Sequence, residues 1–106
     1  MAEELPRTFE IDLPPEKIDG HYADFANVWH TPNVFVMDFV TLAQPPREES
    51  HPDSGAPHLV VPARVVSRIR IPPEQVFELA KALTQQLEFW EQETGRRSAS
   101  GPPLGD

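Results

Sequence analysis

The chain has 106 residues, 17 acidic and 9 basic, for a formal charge of −8, and no cysteine. That length supports one domain with a modest core, a negative chain repels the phosphate backbone at long range, and without thiols there is no disulfide framework, cysteine nucleophile or thiolate metal site. The opening residues Met-Ala-Glu-Glu-Leu-Pro-Arg lack the basic and apolar regions of a secretory signal, and no apolar run approaches the ~20 residues that span a bilayer, so a cytoplasmic location without membrane contact is the expectation.

In chain order, residues 1–7 read as a flexible N-terminus and 8–95 as the folded unit. Thr8 to Leu13 alternates Phe9, Ile11 and Leu13 against Glu10 and Asp12, the period-2 pattern of a half-buried strand, and Pro14-Pro15 ends it. Tyr22 to Trp29 reads as a second strand, with Phe25 and Trp29 on one side and Tyr22, Ala26 and Val28 on the other. The turn His30-Thr31-Pro32-Asn33 then predicts a hairpin.

Val34 to Leu42 is the most apolar run and reads as a central strand, with Phe35, Met37 and Phe39 on one face and Val34, Val36, Asp38 and Val40 on the other. Ala43 to Pro57, with four prolines, a glycine and several charges, reads as a long mobile loop that is either a partner-docking segment or a tolerated insertion. His58 to Ile71 returns as a strand in which Pro62 marks an edge or a bulge. Beyond that proline, Arg64, Val66, Arg68 and Arg70 are expected to share one face.

Pro72-Pro73-Glu74 opens a helix that Gly95 closes. Its apolar residues Val76, Ala80, Leu83, Leu87 and Trp90 step by four and three into one seam, while Phe77, Leu79 and Phe89 lie off it. The seam is most simply a contact with the chain's own sheet, and the alternative is helix pairing between subunits. Arg96 to Asp106 reads as a disordered tail. The fold class is α+β, with three or four antiparallel strands packed against one long C-terminal helix, completed as a homo-oligomer and most simply a dimer.

The residues Tyr22-Ala23-Asp24-Phe25, His30-Thr31-Pro32, Phe35-Val36-Met37-Asp38-Phe39, Ser67-Arg68-Ile69 and Pro73-Glu74 together resemble the short bacterial proteins of domain-of-unknown-function family 3467. The similarity spans about Phe9 to Gly95 and departs in the Ala43 to Pro57 loop and at Pro72, where a capping serine is more usual. It implies a bacterial origin and a small α+β fold, and it carries over no catalytic residue or cofactor.

Arg64, Arg68 and Arg70 are the concentrated positive feature outside the tail. With Trp29 or Tyr22 as stacking platforms they fit a single-stranded nucleic acid, whereas pairing with the chain's carboxylates makes them structural. Asp38, on an apolar face, calls for a partner and is expected to form an ion pair with an arginine. The four histidines lack the spacing that fixes a metal on one element.

With no nucleophile, paired carboxylates or phosphate loop, the reading is noncatalytic: a protein-interaction module, adaptor or assembly factor, acting as a homo-oligomer with an unidentified protein partner. Its candidate contacts are Trp29, Phe77, Leu79, Phe89 and Trp90 together with the three arginines. The alternatives are a single-strand nucleic-acid-binding dimer and a SecB-like holdase chaperone.

Overall fold

The computed structural model describes residues 4–97; the ends of the proposed flexible N-terminus and tail lie outside the described residues. Three strands form the main antiparallel sheet in the order β1 (Phe25–His30), β2 (Phe35–Leu42) and β5 (Ala63–Ile71), and β3 (Arg47–Ser50) pairs with β4 (Pro57–Val60) in a second, two-stranded sheet. One long helix, α1 (Val76–Thr94), follows, so the class is α+β as expected.

The β1–β2 reversal rests on Thr31, whose N–H donates to the carbonyl of Val34 at 2.9 Å while its Oγ1 accepts from the N–H groups of Asn33 and Val34, both at 3.2 Å. Thr31 therefore supplies both halves of the turn's hydrogen bonding, and Pro32 fixes the backbone between them. At the other end Asp24 extends the ladder, donating its N–H to Val40 at 2.7 Å, and its Oδ2 accepts from Leu42 N–H at 2.8 Å and Thr41 Oγ1 at 3.1 Å. The Leu42 amide, and then Thr41, hold the Asp24 carboxyl below its ordinary pKa.

Expectations for four strand and loop segments are corrected. Thr8 to Leu13 is not a strand here: nothing pairs with it and Ile11 is 90% exposed, because the alternating pattern states what a strand would bury and supplies no neighbouring edge. The second strand begins at Phe25, leaving Tyr22 outside it. The segment Ala43 to Pro57 is not a featureless loop, since β3 lies within it and β4 begins at Pro57.

The fourth correction concerns His58 to Ile71, which is two strands: Pro62 interrupts it, and β3 and β4 continue the β2–β5 hairpin as a distal arm. Leu42 pairs with Ala63, Ala43 N–H donates to Pro62 at 2.9 Å, and pairing resumes from Arg47 opposite Val60 to Ser50 opposite Pro57. Pro45, Pro46 and Pro62 fall in the gap between the two stretches, where residues without an N–H cannot continue a ladder. The arm ends in a turn in which His51 N–H donates to Ala56 at 2.7 Å and Gly55 N–H to His51 at 2.8 Å. Gly55 takes a φ of 75°, which glycine adopts without a Cβ clash.

The helix starts as a 3-10 turn at Pro73–Gln75 and ends at Gly95, whose φ of 71° and N–H bond to Glu91 at 2.9 Å form a left-handed cap. None of its residues is buried. The seam does not rest on the chain's own sheet, as was expected of it: Leu83 is 63% exposed, and the helix touches chiefly the 3-10 turn that leads into it. The molecule is accordingly drawn out to 69 × 36 × 33 Å, with a radius of gyration of 19.6 Å. A compact chain of this length would have about 13 Å.

Candidate functional site

Strand register divides the three-stranded sheet into two dissimilar faces. One carries Phe25, Asn27 and Trp29 from β1, Val36, Asp38 and Val40 from β2, and Arg70, Arg68 and Val65 from β5. The other carries Ala26, Val28 and His30, then Phe35, Met37, Phe39 and Thr41, then Ile71, Ile69, Ser67 and Arg64. Among the described residues only Val36, Asp38 and Val40 are buried, and all three lie on the first face.

The centre of that first face is a polar lock. Arg68 Nε donates to Asp38 Oδ1 at 2.6 Å and its second guanidinium nitrogen to Oδ2 at 2.9 Å, a two-pronged pair across adjacent strands. Trp29 Nε1 adds a longer donation to Oδ2 at 3.5 Å, and the Arg68 guanidinium stands 5.6 Å from the centre of the Trp29 ring. Asp38 is 6% exposed, and a carboxylate there is tolerable because its lone pairs are occupied. The hydrogen bond from Arg68 holds the Asp38 pKa down against burial and pushes that of Arg68 up, so the carboxylate is ionised and poorly suited to general acid or base work near neutrality.

The arginines do not share a face. Phe39 pairs with Ser67 while the next residue, Val40, pairs with Val65, so Val66 is an extra residue in a β-bulge. The bulge shifts the phase by one and carries Arg64, paired with Thr41, to the opposite face from Arg68 and Arg70. The basic face is therefore reduced to Arg70 beside an arginine already bonded to Asp38. Nothing in a plain period-2 reading marks the slip, because Val65 and Val66 are both apolar.

On the second face Phe35, Met37 and Phe39 are half-buried, and Val28 and Ile69 are exposed. His30 stacks on Phe35 at 5.2 Å between ring centres, closing one corner. The helix repeats the theme: Phe77 is exposed at 70% and Phe89 at 44%, while Trp90 is half-buried with Arg96 4.9 Å from its ring centre. Leu79 borders the seam on one side, and Phe77, Ala80, Lys81, Thr84, Gln85 and Glu88 outline a shallow hollow on another.

Among the described residues no group of three or more metal-ligating side chains comes together, and no helix is long and apolar enough to cross a membrane. His51 and His58 meet edge-on at 6.0 Å at the tip of the arm, with His51 Nδ1 accepting from Asp53 N–H at 3.2 Å.

The family model described as "Protein of unknown function (DUF3467)" matches residues 1–96. The chain belongs to this family. For this family member no curated protein and no solved structure matches. The match extends over the sheet, the arm and the helix, so the open sheet face and the exposed seam lie within the family's own region.

Proposed function

We propose that this member of the family is a noncatalytic protein-interaction module, an adaptor or assembly factor, that acts as a homodimer. The observation that carries the reading is the pair of apolar surfaces left open on one chain, the Phe35, Met37, Phe39 sheet face and the Leu83, Leu87 helix seam. Two buried aliphatic side chains, Val36 and Val40, are too few to offset the entropy of ordering the chain. A second copy covers both surfaces with elements of matching size: eight residues of β2 and 19 of α1 each extend for about 27–29 Å. Charge agrees at one point, since α1 carries four glutamates against one lysine and Arg64 lies on the same sheet face as Phe35, Met37 and Phe39.

The noncatalytic part of the reading draws on the state of the buried carboxylate, which is bonded on both oxygens. The nucleic-acid reading loses ground because Arg68 is engaged and Arg64 faces away. The holdase reading draws on the same open apolar surface and differs in its assay, the suppression of aggregation of unrelated unfolded proteins.

Sedimentation equilibrium tests the dimer. The unmodified chain is expected to sediment as a dimer, and Leu83→Glu with Leu87→Glu should weaken association at least about a hundredfold, since each leucine contributes about 2 kcal/mol on burial. A monomeric unmodified chain at tens of micromolar would overturn the reading. Capture from lysate, with and without nuclease, then separates the roles: one stoichiometric protein that survives nuclease supports the adaptor, and recovery that vanishes with nuclease favours nucleic acid.

A further inference from the structure

We propose that Thr8–Leu13 of one copy adds as a strand to the free edge of β5 in a second copy, an exchange that rests on the homodimer reading. The segment has the alternation of a strand and no partner: Phe9 is 78% exposed, Ile11 90% and Leu13 61%. β5 is an edge strand of the sheet, and beyond its bulge the run Ser67 to Ile71 pairs regularly with β2 on one side and with no strand on the other. Such an edge is a template for an added strand.

Both periodicities match. If Phe9, Ile11 and Leu13 join the face of Ile69 and Ile71, Glu10 and Asp12 necessarily join the face of Arg68 and Arg70, because successive side chains alternate. The apolar side chains then widen the open Phe35, Met37, Phe39 face, and the carboxylates stand across from arginines. Arg70 has no acidic partner among the described residues, and neither Glu10 nor Asp12 has a basic one. The other edge, β1, reads Phe-Ala-Asn-Val-Trp-His and offers no arginine or lysine to the same acids.

The link between the segment and β1 reaches the β5 side of the molecule. Glu16, Lys17, Gly20 and His21 border a shallow hollow together with Ser67 of β5, so the chain before β1 has already crossed to β5. Pro14, extended with ψ of 144°, and the 3-10 turn at Pro15–Lys17 separate that link from Thr8–Leu13, which pairs with no strand of its own chain and leaves Phe9, Ile11 and Leu13 exposed. The edge they fit belongs to a second copy.

The absence of cysteine makes the test direct. Single-cysteine chains carrying Ile11→Cys and Ile69→Cys are mixed and oxidised, with Phe9→Cys and Leu13→Cys covering neighbouring registers and Leu59→Cys, exposed on the arm, as the collision control. A disulfide-linked heterodimer well above that control is expected from at least one register. Its yield should fall about two- to fivefold with Arg70→Glu and recover when the other chain carries Glu10→Arg and Asp12→Arg. Cross-linking no better than the control, in a chain that still sediments as a dimer, overturns the strand exchange and leaves the homodimer standing. A chain bearing both cysteines that closes only on itself also overturns it, placing the segment on its own sheet. Monomers throughout overturn both.

Discussion

The two faces of the sheet are built from the same three strands and end in opposite conditions. The face of Val36, Asp38 and Val40 has the smaller and more polar residues on its central strand, yet it holds the three buried ones, with Asp38 bonded to Arg68 and Trp29 from within the chain. The face of Phe35, Met37 and Phe39 has the larger apolar side chains and stays half open. Hydrophobicity alone therefore does not say where a single chain puts its core. A satisfied polar cluster finishes a small face, and a large apolar face needs an area that three strands and a detached helix do not supply.

Breaking the closed face should have the largest effect. Asp38→Ala leaves the Arg68 guanidinium and the Trp29 N–H without their acceptor and is expected to lower Tm by roughly 10 °C, read by thermal unfolding at fixed protein concentration. An unchanged Tm would mean the pair contributes nothing to the fold. Val36→Ala, which opens a cavity at the most buried side chain, should cost about 2 kcal/mol in chemical denaturation, with the same loss at every protein concentration.

Phe39→Ala on the open face sharpens the contrast. Its cost should rise with concentration, exceeding the cost in the dilute monomer by about 1–2 kcal/mol per protomer where the chain is associated, as a Tm series over a hundredfold dilution would show. Equal costs at both ends would mean that this face is filled by its own chain.

Acid provides a milder test. Asp38 and Asp24 both have folded pKa values below the ordinary aspartate value, so their contribution is fully present above the unfolded value near 4 and is lost as pH falls through the lowered folded values. Stability should thus decline below about pH 4–5, and Asp24→Asn should flatten part of that decline. The smallest effect should come from Gly95→Ala, which forces a Cβ into a left-handed cap at a cost of about 1 kcal/mol, visible as a small loss in Tm.

Much of this architecture was legible in the residues. The apolar run from Phe35 to Leu42, the Thr31-Pro32 turn and the Pro73 to Gly95 helix carry strong local signals, and the need of Asp38 for a cationic partner follows from the cost of burying a bare carboxylate. The arm was hidden because β3 and β4 have four residues each and sit among prolines and charges, where strand propensity is weak and only cross-strand pairing holds the backbone. Which arginine meets Asp38 was hidden by the Val66 bulge, a property of two strands together. The seam of α1 is plainly apolar in the sequence, but periodicity states what a helix wants to bury and is silent on which molecule provides the cover.

The proline gap in the long hairpin has a consequence for cooperativity. Between the pairing of Leu42 with Ala63 and that of Arg47 with Val60 the ladder lapses, and Pro45, Pro46 and Pro62 have no amide hydrogen with which to bridge it. An opening that starts at the Ser54-Gly55 tip can run to the prolines and stop. Amide hydrogen exchange should therefore resolve the arm as a separate, low-energy opening unit whose protection is lost many times faster than that of β2 and β5.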